Sequence, residues 1–242
     1  SIDFELRQGN CLGIVGESGS GKTTIAKMLL GIEIPTAGTI TVAGRDRSIP
    51  ARGSSERRKR GRELQMVFQD PYTSLDPRQT GWSCLREVIQ LHFPDQTRSQ
   101  VESRILELGS QVGLSTEQLL VRPNSLSGGQ RQRVAIARAL ASEPQAIILD
   151  EAVSGLDVSI QAQILNLLMD IKRETGVAYL FISHDLAVIR QMAGYVIVME
   201  SGRVVEEGET ARVLDNPKEN YTRMLRESVP GPGWSPKRRN LV

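Results

Sequence analysis

Gly16-Glu17-Ser18-Gly19-Ser20-Gly21-Lys22-Thr23 fits the pattern G-x-x-x-x-G-K-[ST], a phosphate-binding loop. Glycines let the backbone curl until consecutive N–H groups point inward at phosphate oxygens. Lys22 reaches the β- and γ-phosphates as a point charge, and the Thr23 hydroxyl is a hard oxygen ligand for Mg2+. Before the loop, Cys11 to Val15 is a short apolar run that reads as a buried strand. After it, Thr24 to Leu30 reads as a helix, whose N-terminus favours a bound anion. A phosphate loop between strand and helix predicts an α/β fold with the anion at the sheet's carboxyl edge.

The alternation of strand and helix continues on both sides of the loop. Ile2, Phe4 and Leu6 alternate with polar residues, which predicts a strand over 1–6. Further strands are expected at 39–42, 64–68, 146–149, 178–182 and 195–199. From Trp82 to Leu120 the period turns helical, with Val101, Ile105 and Leu108 on one face and a break near Gly113. Helices are also expected over 130–141 and from Ile160 to a stop near Gly176. This pattern indicates a mostly parallel sheet with helices on both faces. Residues 45–62 carry eight basic side chains among Ser, Gly and Pro. No aromatic residue interleaves there for base stacking, so the stretch reads as a solvated loop. The tail 230–242 is Pro/Gly-rich and then basic, and reads as flexible.

A chain of 242 residues suffices for one large domain or a core with an inserted lobe. Its net charge of +2 gives no general polyanion-binding signal. No apolar run reaches the length of a membrane span, and the first residues lack a signal-peptide pattern. Cys11 and Cys84 have no metal-binding spacing, and Cys11 reads as a small core hydrophobe.

Other candidate chemistry gathers after strands. Asp150 and Glu151 follow the apolar run 146–149, which puts two carboxylates at the carboxyl edge beside the phosphate loop. Asp150 is placed to orient Mg2+ through its water shell, and Glu151 to polarise a water attacking the γ-phosphate. Gln69 follows the strand 64–68 and is placed to touch both Mg2+ and that water. Taken alone, it reads better as an ordinary polar strand end. His184 follows the strand 178–183 and is placed to hydrogen-bond the γ-phosphate or hold the water. Taken alone, it is as readily a surface histidine. Leu126-Ser127-Gly128-Gly129-Gln130 opens a helix with exposed amides and a hydroxyl, which makes a second anion site or a plain N-cap.

Together these elements resemble the nucleotide-binding subunits of ABC transporters, over essentially the whole chain. The loop Gly16–Thr23, the Q-loop Gln69 and the signature Leu126–Gln130 stand in that family's order. So do the Walker B strand with Glu151, the D-loop Ser154-Gly155-Leu156-Asp157 and the switch His184. The resemblance implies an α/β P-loop NTPase core over 1–70 and 130–229, an inserted helical subdomain over 71–129 and a small antiparallel β region. It implies ATP and Mg2+ as cofactors. Gly16, Glu17, Ser18, Gly19, Ser20, Gly21, Lys22, Thr23 and Thr24 would hold phosphates, and Thr23, Gln69 and Asp150 would serve the metal. Glu151 would act as general base, with Gln69 and His184 beside it. Two subunits would pair head to tail, so that Leu126, Ser127, Gly128, Gly129 and Gln130 of one close over ATP on the other. Asp157 joins the nucleotide-binding set by the same likeness. The family further implies permease subunits in the membrane, indirectly a solute-binding protein, no nucleic acid, and a peripheral place on the cytoplasmic face of the inner membrane.

Residues 67–78, 158–163 and 216–222 look like the branch that imports oligopeptides, dipeptides and nickel. That likeness implies one ATPase of a heterodimeric importer, with the segment after Gln69 meeting a coupling helix. A non-transport relative, such as a phosphonate-breakdown accessory subunit, is the alternative. Ala152 stands where this branch usually has Pro, and Gly155 where Ala is common. The family stacks adenine on an aromatic residue well upstream of the loop. Only fifteen residues precede Gly16 here, and Phe4 looks like a core position. The adenine platform is therefore expected to be missing, and the chain to be truncated at its N-terminus.

Overall fold

The structure, a computed structural model, describes residues 2–70 and 74–227. In chain order the elements are β1 (Cys11–Val15), α1 (Lys22–Leu30), β2 (Thr41–Val42), β3 (Arg45–Asp46), α2 (Gly53–Glu63) and β4 (Leu64–Val67). Then come α3 (Gly81–His92), α4 (Arg98–Gln111), α5 (Thr116–Leu120), α6 (Gly128–Leu140), β5 (Ala146–Asp150) and α7 (Val158–Thr175). Last are β6 (Ala178–Ser183), α8 (Leu186–Met192), β7 (Tyr195–Glu200), β8 (Arg203–Glu209), α9 (Thr210–Asp215) and α10 (Asn220–Glu227).

Alternation within the apolar runs decides how the sheet is buried. In β1, Cys11 and Val15 enter one core while Leu12 and Ile14 enter another. Tyr179 and Phe181 oppose Leu180 and Ile182 in the same way, as Val196 and Val198 oppose Ile197 and Met199. Burial on both faces is what a parallel sheet covered by helices requires. The spatial order is β4-β5-β6-β1-β7-β8, and only β8 runs antiparallel to its neighbour. Gly13 is the exception in β1, because a Cβ there would lie 2.8 Å from Ile189 of α8. The helix approaches the sheet closely only because that side chain is missing. Helices α3, α4 and α5 pack on one another, and α3 and α4 also pack on α6, which lies against β4. The chain breaks between α4 and α5 at Gly113, in the left-handed region.

Three local expectations change. Residues 2–6 keep their alternation, with Ile2, Phe4 and Leu6 packed on the second core, but they join neither sheet. The strand expected over 39–42 shortens to β2, which pairs with β3 across Ala43 and Gly44, both at positive φ. Two such residues make the turn type that matches strand twist. The basic stretch 45–62 is not a solvated loop, for it contains α2 and two buried arginines. Arg47 pairs with Glu63 and donates to the Arg60 carbonyl, while Arg60 pairs with Glu56 and donates to the Ile49 carbonyl at 2.7 Å. Buried guanidinium groups persist only when paired in this way. The tail 230–242 lies outside the described residues.

Candidate nucleotide site

Strands β4, β5, β6 and β1 lie side by side, with Val67 level with Leu149, Asp150 with Ile182 and Val15 with Ser183. Whatever follows each strand therefore shares one edge. Gln69, Glu151, His184 and the phosphate loop arrive there from four separate stretches of sequence. This is the carboxyl-edge crevice where open α/β sheets bind ligands.

The loop is held tightly at its base. A Cβ on Gly16 would lie 2.2 Å from the Met199 carbonyl oxygen and 2.7 Å from Ser20 Oγ, so no larger residue fits. Lys22 is buried, and its Nζ donates to the carbonyls of Gly16 and Glu17, each at 2.8 Å. Burial pushes the Lys22 ammonium below its ordinary range, while the carboxylates of Glu151 and Asp150 push it back up. Thr23 Oγ1 donates to Asp150 Oδ2 at 3.0 Å. Burial raises the Asp150 carboxyl above its usual range, and the Thr23 bond and Lys22 oppose that rise.

Glu151 is built into the edge by its backbone. Its φ of +49° lies in the left-handed region, which is costly for a residue with a side chain. Three bonds fix it there. Glu151 N donates to the Ile182 carbonyl at 2.9 Å, and the Glu151 carbonyl accepts from Ser154 N at 3.0 Å and Ser154 Oγ at 2.8 Å. The side chain then lies with Oε1 3.3 Å from His184 Nδ1. His184, one of only two histidines, is thus attached to the carboxylate that the sequence marks as the base. Its ring also lines a cleft of about 620 Å³ together with Gln69, Gly128, Ser154 and Gly155.

The signature glycines differ from each other. A Cβ on Gly129 would lie 2.6 Å from Ile160, so this glycine serves the contact between α6 and α7. A Cβ on Gly128 would meet Leu156 at an ordinary 3.6 Å, and this glycine faces the cleft. Ser127 and Gln130 form a capping box, in which Gln130 N donates to Ser127 Oγ and Ser127 N donates to Gln130 Oε1. The amides of Gly128 and Gly129 lie in the first helical turn, which offers them no carbonyl of its own. The Leu126 side chain is buried in the first core, leaving only its backbone near the turn. The Asp157 carboxylate caps α7, accepting from Ile160 N at 2.9 Å and Ser159 Oγ at 2.8 Å.

One contact was not foreseen from sequence. Tyr221 of α10 accepts a hydrogen bond from Glu17 N in the phosphate loop at 2.9 Å. The two residues stand 204 positions apart, and only their shared place at the sheet edge connects them.

Among the described residues no cluster of three His, Cys, Asp or Glu side chains is suited to a metal. Thr23 and Asp150 nonetheless set two hard oxygens 3.0 Å apart beside Lys22. Such a pair fits Mg2+, which takes one or two protein oxygens and completes its shell from phosphates and water.

Residues 1–154 match the family described as ABC transporter. The oligopeptide transport ATP-binding protein OppD of Mycobacterium tuberculosis is 47% identical over 231 residues, which cover 96% of this chain and 37% of that protein. The chain therefore spans little more than a third of that relative's length. The di/tripeptide transport ATP-binding protein DppF of Pseudomonas aeruginosa is 43% identical over 229 residues, covering 95% of this chain and 70% of that protein. A solved dimeric ATP-binding cassette, in a post-hydrolysis state bound to ADP and Pi, superposes with a TM-score of 0.75 at 29% identity. That likeness covers 86% of this chain and 88% of the solved one.

Proposed function

The chain belongs to the ABC transporter family, and from that premise we propose that it is the ATP-hydrolysing subunit of an importer for peptides or a related small solute. The observation that carries the proposal is the shared sheet edge, where Lys22, the Thr23–Asp150 pair and the Glu151–His184 pair come together. Peptide names among the relatives favour peptides over nickel as the solute.

In this reading the loop amides and Lys22 bind the triphosphate. Thr23 and Asp150, with Gln69 on the adjoining strand end, would hold Mg2+, which supplies charge neutralisation when bound. Glu151 takes a proton from the attacking water, and its left-handed backbone holds the carboxylate at the edge. His184 steadies that carboxylate through Nδ1 and contacts the γ-phosphate side of the cleft. A second subunit, identical or homologous, closes the site by bringing the Ser127–Gly129 turn over the phosphates. Among the described residues no helix is long and apolar enough to cross a membrane, so the reading assigns membrane attachment to permease subunits. The test is ATP hydrolysis by the protein assembled with its permease in vesicles. Hydrolysis should rise when a peptide-loaded binding protein is added. Turnover indifferent to permease and peptide would contradict an importer role.

A further inference from the structure

The segment Asn216–Thr222 resembles the importer branch in sequence, and its Tyr221 touches the phosphate loop through Glu17 N. It forms an elbow before α10 that is braced from two sides. Glu206 of β8 accepts from Lys218 N at 2.9 Å and from Glu219 N at 3.2 Å. Arg223 folds back on the same elbow, with Nε donating to the Pro217 carbonyl at 3.1 Å and Nη2 to the Lys218 carbonyl at 2.7 Å. The Tyr221 ring packs against the first core, and Thr222 beside it is buried. So placed, the Tyr221 hydroxyl accepts the Glu17 N–H at 2.9 Å. The carbonyl of Glu17 accepts from Lys22 Nζ at 2.8 Å and from Ser20 N at 3.2 Å. The Glu17 residue is thus held through its amide by the C-terminal elbow and through its carbonyl by the phosphate-binding lysine.

We propose that Tyr221 is a positioning residue of the phosphate loop, fixing Glu17 and, through it, Lys22 in the arrangement that takes the triphosphate. A loop with glycine at 16, 19 and 21 loses much backbone freedom when it closes on an anion. A clamp that restricts it beforehand lowers the ordering cost of binding. The ring is anchored by packing, so the phenol oxygen is the atom that matters. The proposal rests on the nucleotide-binding reading of the loop.

The test is Tyr221→Phe in the whole protein, with MgATP as the probe. Affinity should fall about 2- to 12-fold, the weight of one ordinary hydrogen bond. KM should rise by the same factor, while kcat at saturation stays unchanged and the protein remains folded at the assay temperature. Hydrogen exchange at the Glu17 amide should become faster. Glu206→Gln should weaken binding through the same bond, so the double variant should bind no more weakly than Tyr221→Phe alone. Unchanged affinity in Tyr221→Phe, or losses that add in full, would overturn the role of Tyr221. If the parent protein binds no MgATP and Lys22→Ala changes nothing, the nucleotide reading itself has failed, and the proposal falls with it.

Discussion

The N-terminus of α1 and the N-terminus of α6 answer the same physical problem, orphan amides at a helix start, in opposite ways. At α1 the N-cap is Gly21, in the left-handed region and with no side-chain bond, so the amides of the first turn are left to a ligand. Lys22, Thr23, Asp150, Glu151 and His184 surround that position through contacts already made. At α6, Ser127 and Gln130 satisfy each other in a closed box, and only two glycine amides remain to be presented. In the proposed reading, ground-state affinity for a nucleotide belongs to the first turn. The second, a finished cap, would contribute when a nucleotide held elsewhere is brought against it.

The largest effect that bears on this contrast is Glu151→Gln. Removing a general base should lower turnover by about 10²- to 10⁴-fold while MgATP still binds, measured as steady-state hydrolysis beside equilibrium binding. Near-normal turnover would remove Glu151 from the α1 site's chemistry. Next comes Lys22→Ala, which deletes the charge that the α1 turn depends on. Hydrogen bonds to charged groups are worth about 1.5–3 kcal/mol, so ATP affinity should fall by about 10- to 150-fold. Equal affinity would mean that the α1 turn is not where nucleotide energy is gained. The smallest effect sharpens the other side. Gly129→Ala forces a Cβ against Ile160 and should cost about 1–3 kcal/mol of unfolding free energy. Gly128→Ala should stay within about 0.5 kcal/mol, because its Cβ has room. Denaturant midpoints would reverse this assignment if Gly128→Ala proved the more damaging.

Much of the α1 side was legible because its signals are local. A loop that must curl needs glycines at fixed spacing, and strands buried on both faces read as short apolar runs. Glu151 and His184 were legible as residues following strands, but their pairing was not, since adjacency of β5 and β6 is a property of strand order. The α6 side was less legible. Sequence shows two equivalent glycines, whereas Gly129 is needed for the approach of α7, whose residues lie about thirty positions away. Strand β8 escaped notice because an edge strand with Glu206, Glu207 and Glu209 carries little apolar pattern. The burial of Arg47 and Arg60 is not legible either, since a run of charges reads as solvated unless its partners Glu63 and Glu56 are known. Tyr221 lies within the branch-like stretch 216–222, and its contact with Glu17 depends on where α10 docks.

The central claim, that the two turns act on one nucleotide from different subunits, is tested most directly by mixing two defective chains. Both carry Glu151→Gln to slow turnover, one adds Lys22→Ala and the other adds Gly128→Asp. Sedimentation with MgATP reports dimerisation, and nucleotide titration reports binding by each chain. Gly128→Asp sets a carboxylate where phosphate must approach, so that chain should bind ATP and stay monomeric. The Lys22→Ala chain should bind poorly and also stay monomeric. Mixed, they form one intact composite site, from Lys22 of one and Gly128 of the other, and ATP-dependent dimer should return. A mixture that stays monomeric while the Glu151→Gln parent dimerises, or a Gly128→Asp chain that has lost ATP binding on its own, would contradict the account.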